Sequence, residues 1–140
     1  MQGNNAYSAY KNNSINYASK EQLLLMLLDG AVKFAKIAKQ AIVDKDINKA
    51  HENIIKTENI FYELMISLDV KAGGDWAKKL MSVYDFIVRR LMDANMGKDI
   101  NIMDEVIPLI EDIRSTWNEA YSIIKTSRSN KSEAVGSSSY

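Results

Sequence analysis

Residues 73–95 read GGDWAKKLMSVYDFIVRRLMDAN. Behind the Gly-Gly pair, apolar side chains recur at Trp76, Leu80, Val83, Tyr84, Ile87, Leu91 and Ala94. At about 100° per residue these share one face, the mark of an amphipathic helix. A second apolar set, Ala77, Met81, Val88 and Met92, lies beside the first. A face this wide either touches two neighbouring helices or leaves room for a partner.

Outward from this stretch, the punctuation predicts three more helices. Gly73-Gly74 breaks the chain, Asp75 starts the third helix at Trp76, and Gly97 stops it past Asn95. The first helix opens at Ser19, whose Ser-Lys-Glu-Gln run fits a capping box with Gln22, and runs to about Val43. After Asp44-Lys45-Asp46, Asp46 caps a second helix that reaches about Leu68. Asp99 caps a fourth, to about Lys125. Pro108 inside it predicts a kink or an irregular first turn, because proline lacks an N–H and clashes with the carbonyl of Asp104. Each helix has a core stripe. On the first it is Leu24, Leu27, Leu28, Ala31, Phe34, Ala35, Ala38 and Ile42, and on the second Ile47, Ala50, Ile54, Phe61, Leu64, Met65 and Leu68. On the fourth it is Ile102, Val106, Leu109, Ile110, Ile113, Trp117, Ala120 and Ile124. Short connections make neighbours antiparallel. The expected architecture is all-α: an antiparallel, up-down-up-down four-helix bundle over residues 19–125. A polar N-terminal arm (1–18) precedes it, and a flexible tail (126–140, TSRSNKSEAVGSSSY) follows.

Composition narrows the function. The chain has 140 residues, 46% hydrophobic and 26% charged, which suits one globular domain. Lys+Arg and Asp+Glu both number 18, so no overall basic field calls for nucleic acid. With Cys 0, disulfides, iron–sulfur clusters, Cys-type zinc sites and a thiol nucleophile are excluded. A carboxylate-bridged metal bundle needs Glu-x-x-His on two helices, whereas His51 is alone and has no Glu three residues before it. His51 reads as a solvated surface residue. Gly73-Gly74 lacks the Gly-Lys-Ser/Thr of a phosphate loop, and a single mid-helix His does not make a triad. Asp85 and Arg89 sit at i,i+4, as a surface ion pair would. The expectation is no enzyme, no cofactor and no metal. No run approaches the length of a membrane span, and MQGNNAYSAYKNNS (1–14) has neither the basic nor the apolar region of a secretory signal. The expected location is therefore the cytoplasm.

The apolar residues left over by the core stripes point to binding. The second helix carries Ile55, Tyr62 and Ile66, the third Met81, Val88 and Met92, and the first Leu25 and Val32. One reading is ordinary contact with a second neighbour in the bundle. The other is an exposed groove for a partner helix, to which adaptable methionines are suited. Arg90 and Asn95 complete the candidate groove set; Arg90 either packs its stem at the bundle edge or binds a partner oxygen. Weak self-association through the groove is a further expectation.

These segments resemble the family of flagellar export chaperones called FliS. AYSAYKNNSINYAS (6–19) resembles the family's tyrosine-containing arm, and QLLLMLLDGAVKF (22–34) its first-helix motif. ENIIKTENIFYEL (52–64) fits the second helix and EVIPLIEDIRSTWNEA (105–120) the last. Residues 73–95 carry the most specific likeness, to a Gly-Gly…Tyr-Asp-Tyr…Arg-Arg-Leu…Ala-Asn signature. Lys20 stands where the family often has Pro, Leu28 where an aromatic is frequent, Phe86 for a Tyr, and Pro108 for a small residue. The resemblance implies a cytosolic, non-enzymatic chaperone. It would bind the C-terminal segment of flagellin, prevent premature polymerisation and present the cargo to the flagellar type III export gate. It also implies that Tyr7, Tyr10 and Ile15 of the arm dock to the export gate or cover the empty groove; packing as a hydrophobic staple is the alternative. A helical regulatory or assembly bundle with another partner is the competing reading of the whole.

Overall fold

The computed structural model describes the backbone of residues 19–138 and the side chains of residues 19–127. The arm residues Tyr7, Tyr10 and Ile15 lie outside the described residues. Four helices follow one another: α1 (Lys20–Val43), α2 (Ile47–Ser67), α3 (Val70–Gly97) and α4 (Ile100–Ser138). α1 and α3 each pack against both α2 and α4, which makes the four-helix bundle expected from the short connections.

The boundaries follow from side chains that meet orphan backbone groups. Ser19 Oγ accepts from Gln22 N at 3.2 Å, and Ser19 N donates to Gln22 Oε1 at 2.9 Å, closing the capping box. Asp46 accepts from Lys49 N at 3.1 Å. Asp99 accepts from Asn101 N at 2.9 Å at the start of α4.

The third helix differs from the reading at both ends. A short stretch from Val70, capped by Asp69, whose Oδ1 accepts from Ala72 N at 3.0 Å, precedes the start expected at Trp76. The helix is broken at Gly74, as the Gly-Gly pair predicts, and resumes beyond it toward Trp76. Gly74 has φ 58 and ψ −136, a conformation that needs glycine. Gly73 makes room for Ala77, since a Cβ on it would meet Ala77 Cβ at 2.5 Å. At the other end Lys98, with φ 48, is the left-handed cap, and Gly97 stays helical. α4 also runs further than Lys125, with a helical backbone to Ser138 across the segment expected as a flexible tail. A helix satisfies its own hydrogen bonds and does not stop merely because the apolar stripe does. Pro108 lies inside α4, and the helical backbone continues across it.

The core is built from Leu27, Leu28, Ala31, Ala35, Ala38, Ile54, Phe61, Leu64, Tyr84, Ile87, Leu91, Ala94, Val106, Ile110 and Ile113, all read from the stripes. Ala41, Ile60, Met103 and Ile107, which no stripe included, are buried as well, and so is Ala77 of the second set on the third helix. The alanine line of α1 lets its neighbours approach closely. At Gly30 an added Cβ would lie 3.2 Å from Ile60 Cδ1. Three expected core residues are exposed: Ile47 at 61%, Trp76 at 55%, and Val83. Ile47 is the first residue of α2, at the end of the bundle, where little covers it. On α3 the buried residues include Ala77 and Val88, so the buried face is turned away from Val83.

α2 buries polar groups too. Asn53 Nδ2 donates to Lys49 O and Thr57 Oγ1 to Asn53 O, both at 2.8 Å, so each is satisfied by the preceding turn. Glu58 is buried beside them. Among the described residues no helix is long and apolar enough to cross a membrane, and no group of His, Asp and Glu could hold a metal ion.

Candidate functional site

Two contacts orient α3 in the bundle. Asn95 Nδ2 lies 2.9 Å from His51 Nδ1, tying α3 to α2. Arg90 Nη2 donates to Glu105 Oε2 at 2.8 Å, tying α3 to α4. On a 3.6-residue helix Val88, Met81 and Met92 fall within about 60° of Asn95, on the α2 side. On α2 itself Glu58, Tyr62, Ile55 and Ile66 fall within about 60° of His51 by the same repeat. The seam between α2 and α3 therefore gathers Ile55, Tyr62, Ile66, Met81, Val88, Met92 and Asn95 of the candidate set.

Their burial varies in a way that shapes a shallow groove. Ile66 is 79% exposed, Tyr62 and Met92 are exposed, and Ile55 and Met81 are half-buried. Val88 is a correction: at 4% exposure it belongs to the core and forms the floor rather than a wall. Counting equal turns back from the His51–Asn95 contact places Glu58 opposite Val88, so Glu58 shares the floor. Burial pushes the Glu58 carboxyl above the usual carboxylate range, and the nearby His51 opposes that shift. His51 is exposed, as expected, but its bond to Asn95 gives it a structural role.

Three residues of the set lie elsewhere. Leu25 and Val32 fall on the side of α1 that carries Asp29, Lys36 and Lys39, which pair with Arg114, Glu111 and Asp104 of α4. They are half-buried in the α1–α4 seam. Arg90 belongs to the α3–α4 seam, where Glu105 and Asp93 hold its guanidinium and raise its pKa further. No stripe on one helix reveals which neighbour it will face, and this is why the set divides.

One feature the sequence did not display is a cavity of about 300 Å³ at the end of the bundle where α1 begins and α2 ends. Leu24, Leu64, Leu68, Trp76, Tyr84 and Trp117 line it, with Lys20, Ser67 and Asp69 at its rim. Trp117 Nε1 donates to the Tyr84 hydroxyl at 3.2 Å. Trp76 meets Trp117 edge to face at 5.6 Å, and Phe61 meets Tyr84 likewise at 5.7 Å. Burial raises the Tyr84 phenol above its ordinary pKa, and the Trp117 hydrogen bond works against that. The two tryptophans, on different helices, were the available signal.

Known proteins carry the same pattern. A family model described as Flagellar protein FliS matches residues 3–124. The chain belongs to the FliS family. A flagellar secretion chaperone FliS of Bacillus subtilis is 37% identical over 116 residues, covering 83% of this chain and 86% of the relative. The FliS of Campylobacter jejuni is 33% identical over 121 residues, covering 86% and 94%. A crystal structure of a flagellar chaperone from bacteria superposes with a TM-score of 0.69 at 17% identity, covering 84% of this chain and 96% of that one. At that identity the likeness bears on the fold alone. The resemblance read from residues 73–95 is confirmed at the level of the family.

Proposed function

We propose that this FliS-family chain is a flagellar export chaperone that binds the C-terminal segment of flagellin along the α2–α3 groove. The observation that carries the reading is the row of exposed apolar side chains, Tyr62, Ile66 and Met92, beside half-buried Ile55 and Met81. A soluble bundle gains nothing from such a row in isolation; contiguous exposed apolar surface marks interaction sites. An amphipathic segment, disordered alone, lays its apolar face in such a groove and folds there. Occupied in this way, the segment cannot join a filament, and the cargo stays extended for secretion. The aromatic cavity lined by Leu64, Leu68 and Tyr84 lies at the same end of α2 and α3 as Ile66 and Met81. The cavity supplies a deeper site for one large apolar anchor of the cargo. Delivery to the export gate, with Tyr7, Tyr10 and Ile15 of the arm as the docking or groove-covering residues, completes the proposal. No step needs a cofactor or a catalytic residue.

Isothermal titration against a flagellin C-terminal peptide tests the reading. Binding with a negative heat-capacity change is the expected result. Absence of binding at a peptide concentration well above micromolar would refute it.

A further inference from the structure

Glu58 is 5% exposed on a helix otherwise filled with satisfied groups. Asn53 and Thr57, its buried polar neighbours on α2, both bond to the preceding turn. Among the described residues no hydrogen bond or ion pair reaches the Glu58 carboxylate. The two cations of α3 at its level are engaged elsewhere. Arg89 pairs with Asp85 at 2.9 Å, and Arg90 with Asp93 and Glu105. His51 stands two turns away on the same face and is bonded to Asn95. A buried carboxylate without a partner opposes folding. It does so here on the floor of the groove, between Ile55 and Tyr62 of α2 and opposite Val88 of α3.

We propose that Glu58 is the polar anchor of the groove, accepting a charge-assisted hydrogen bond from one Lys or Arg side chain of the docked segment. The proposal rests on the groove reading above and adds to it the chemistry of the occupant. The segment presents apolar anchors to Tyr62, Ile66 and Met92 and one cation between them. Apolar contact alone would let the segment slide along the row or bind reversed. One ion pair, closed off from water when the segment lies over it, fixes register and direction. A segment without the cation leaves the carboxylate buried and unpaired, and so is rejected.

The test titrates the wild-type chain, Glu58→Gln and Glu58→Met with flagellin C-terminal peptides in which each Lys or Arg is replaced in turn by norleucine. Glu58→Gln is expected to weaken binding about tenfold or more, the usual worth of a hydrogen bond between charged groups. One peptide replacement should weaken the wild type similarly and leave Glu58→Gln unchanged, the signature of coupling between two groups. Glu58→Met should raise the melting temperature while it weakens binding, which a merely structural residue would not do. The proposal is overturned if both variants bind like wild type, if no basic residue of the peptide couples to Glu58, or if Glu58→Met melts lower. Failure of the wild type to bind the unsubstituted peptide overturns the groove reading itself, and the anchor with it.

Discussion

Glu58 and Val88 illustrate how one buried position differs from the next. Val88 is apolar and opposite Glu58, so its removal leaves a void; Val88→Ala should cost about 1.6 kcal/mol, at about 0.8 kcal/mol for each buried carbon lost. Ile54→Ala and Ile87→Ala, both fully buried, should cost about 2–5 kcal/mol in urea unfolding. Ile66→Ala and Met92→Ala sit at exposed positions and should change stability by no more than about 0.5 kcal/mol. The same pair should weaken flagellin binding by about 1 kcal/mol or more if they are hot spots. Equal destabilisation by the exposed and buried sets would move the binding surface elsewhere. Glu58 adds a pH dependence. Its folded-state pKa is raised, so the folded chain holds the proton more tightly than the unfolded chain. The stabilisation from its protonated form is complete below the ordinary glutamate range and is lost as pH rises through the raised folded-state pKa. Unfolding of wild type and Glu58→Gln compared across that range should show the wild type losing stability relative to the variant as pH increases. A constant difference would mean that the carboxyl is not perturbed.

At the scale of the helices, two backbone features carry measurable energy. α3 is broken at Gly74, whose φ 58 with ψ −136 is a combination that only glycine adopts without strain. Gly74→Ala has open space around it, so the expected loss of about 1–3 kcal/mol comes from the backbone alone. Thermal unfolding checks this, and a Gly74→Ala chain that melts at or above the wild-type temperature would show that the break is not required. Pro108 is exposed within α4 and deprives Asp104 of a helical donor. Pro108→Ala should stabilise the bundle by up to about 3 kcal/mol, the helix-interior difference between the two residues. A loss of stability would show that the proline fits a bend the packing requires.

Across the whole molecule, charge and apolar surface are segregated. Asp29, Lys36 and Lys39 meet Arg114, Glu111 and Asp104 along the α1–α4 seam, and Arg90 meets Glu105 along α3–α4. The α2–α3 seam carries the exposed apolar row instead. Exposed ion pairs contribute about 0–1 kcal/mol each and weaken with salt. Cargo affinity should therefore change little between low and moderate salt, since the groove walls are uncharged and a covered Glu58 pair is shielded from ions. Titrations at two ionic strengths check this; a collapse of affinity would replace the groove with an electrostatic site.

The amino-acid order alone determined what is local. Ser19, Gln22 and Asp46 define helix starts because a cap acts within one turn, and the period of Leu, Ile and Ala places the core on each helix. The specific run at residues 73–95 was enough to point to the FliS family. Non-local facts required the assembled bundle. Asp69 caps a short helical stretch ahead of the break at Gly74, in a segment that reads as a connection. Leu25 and Val32 part from Met81 and Met92 because a stripe records the width of a buried face and not the identity of the neighbour. Burial of Glu58 and the Trp76–Tyr84–Trp117 cavity arise only where helices distant in sequence converge. Periodicity is a property of one helix, whereas a groove belongs to the space between two.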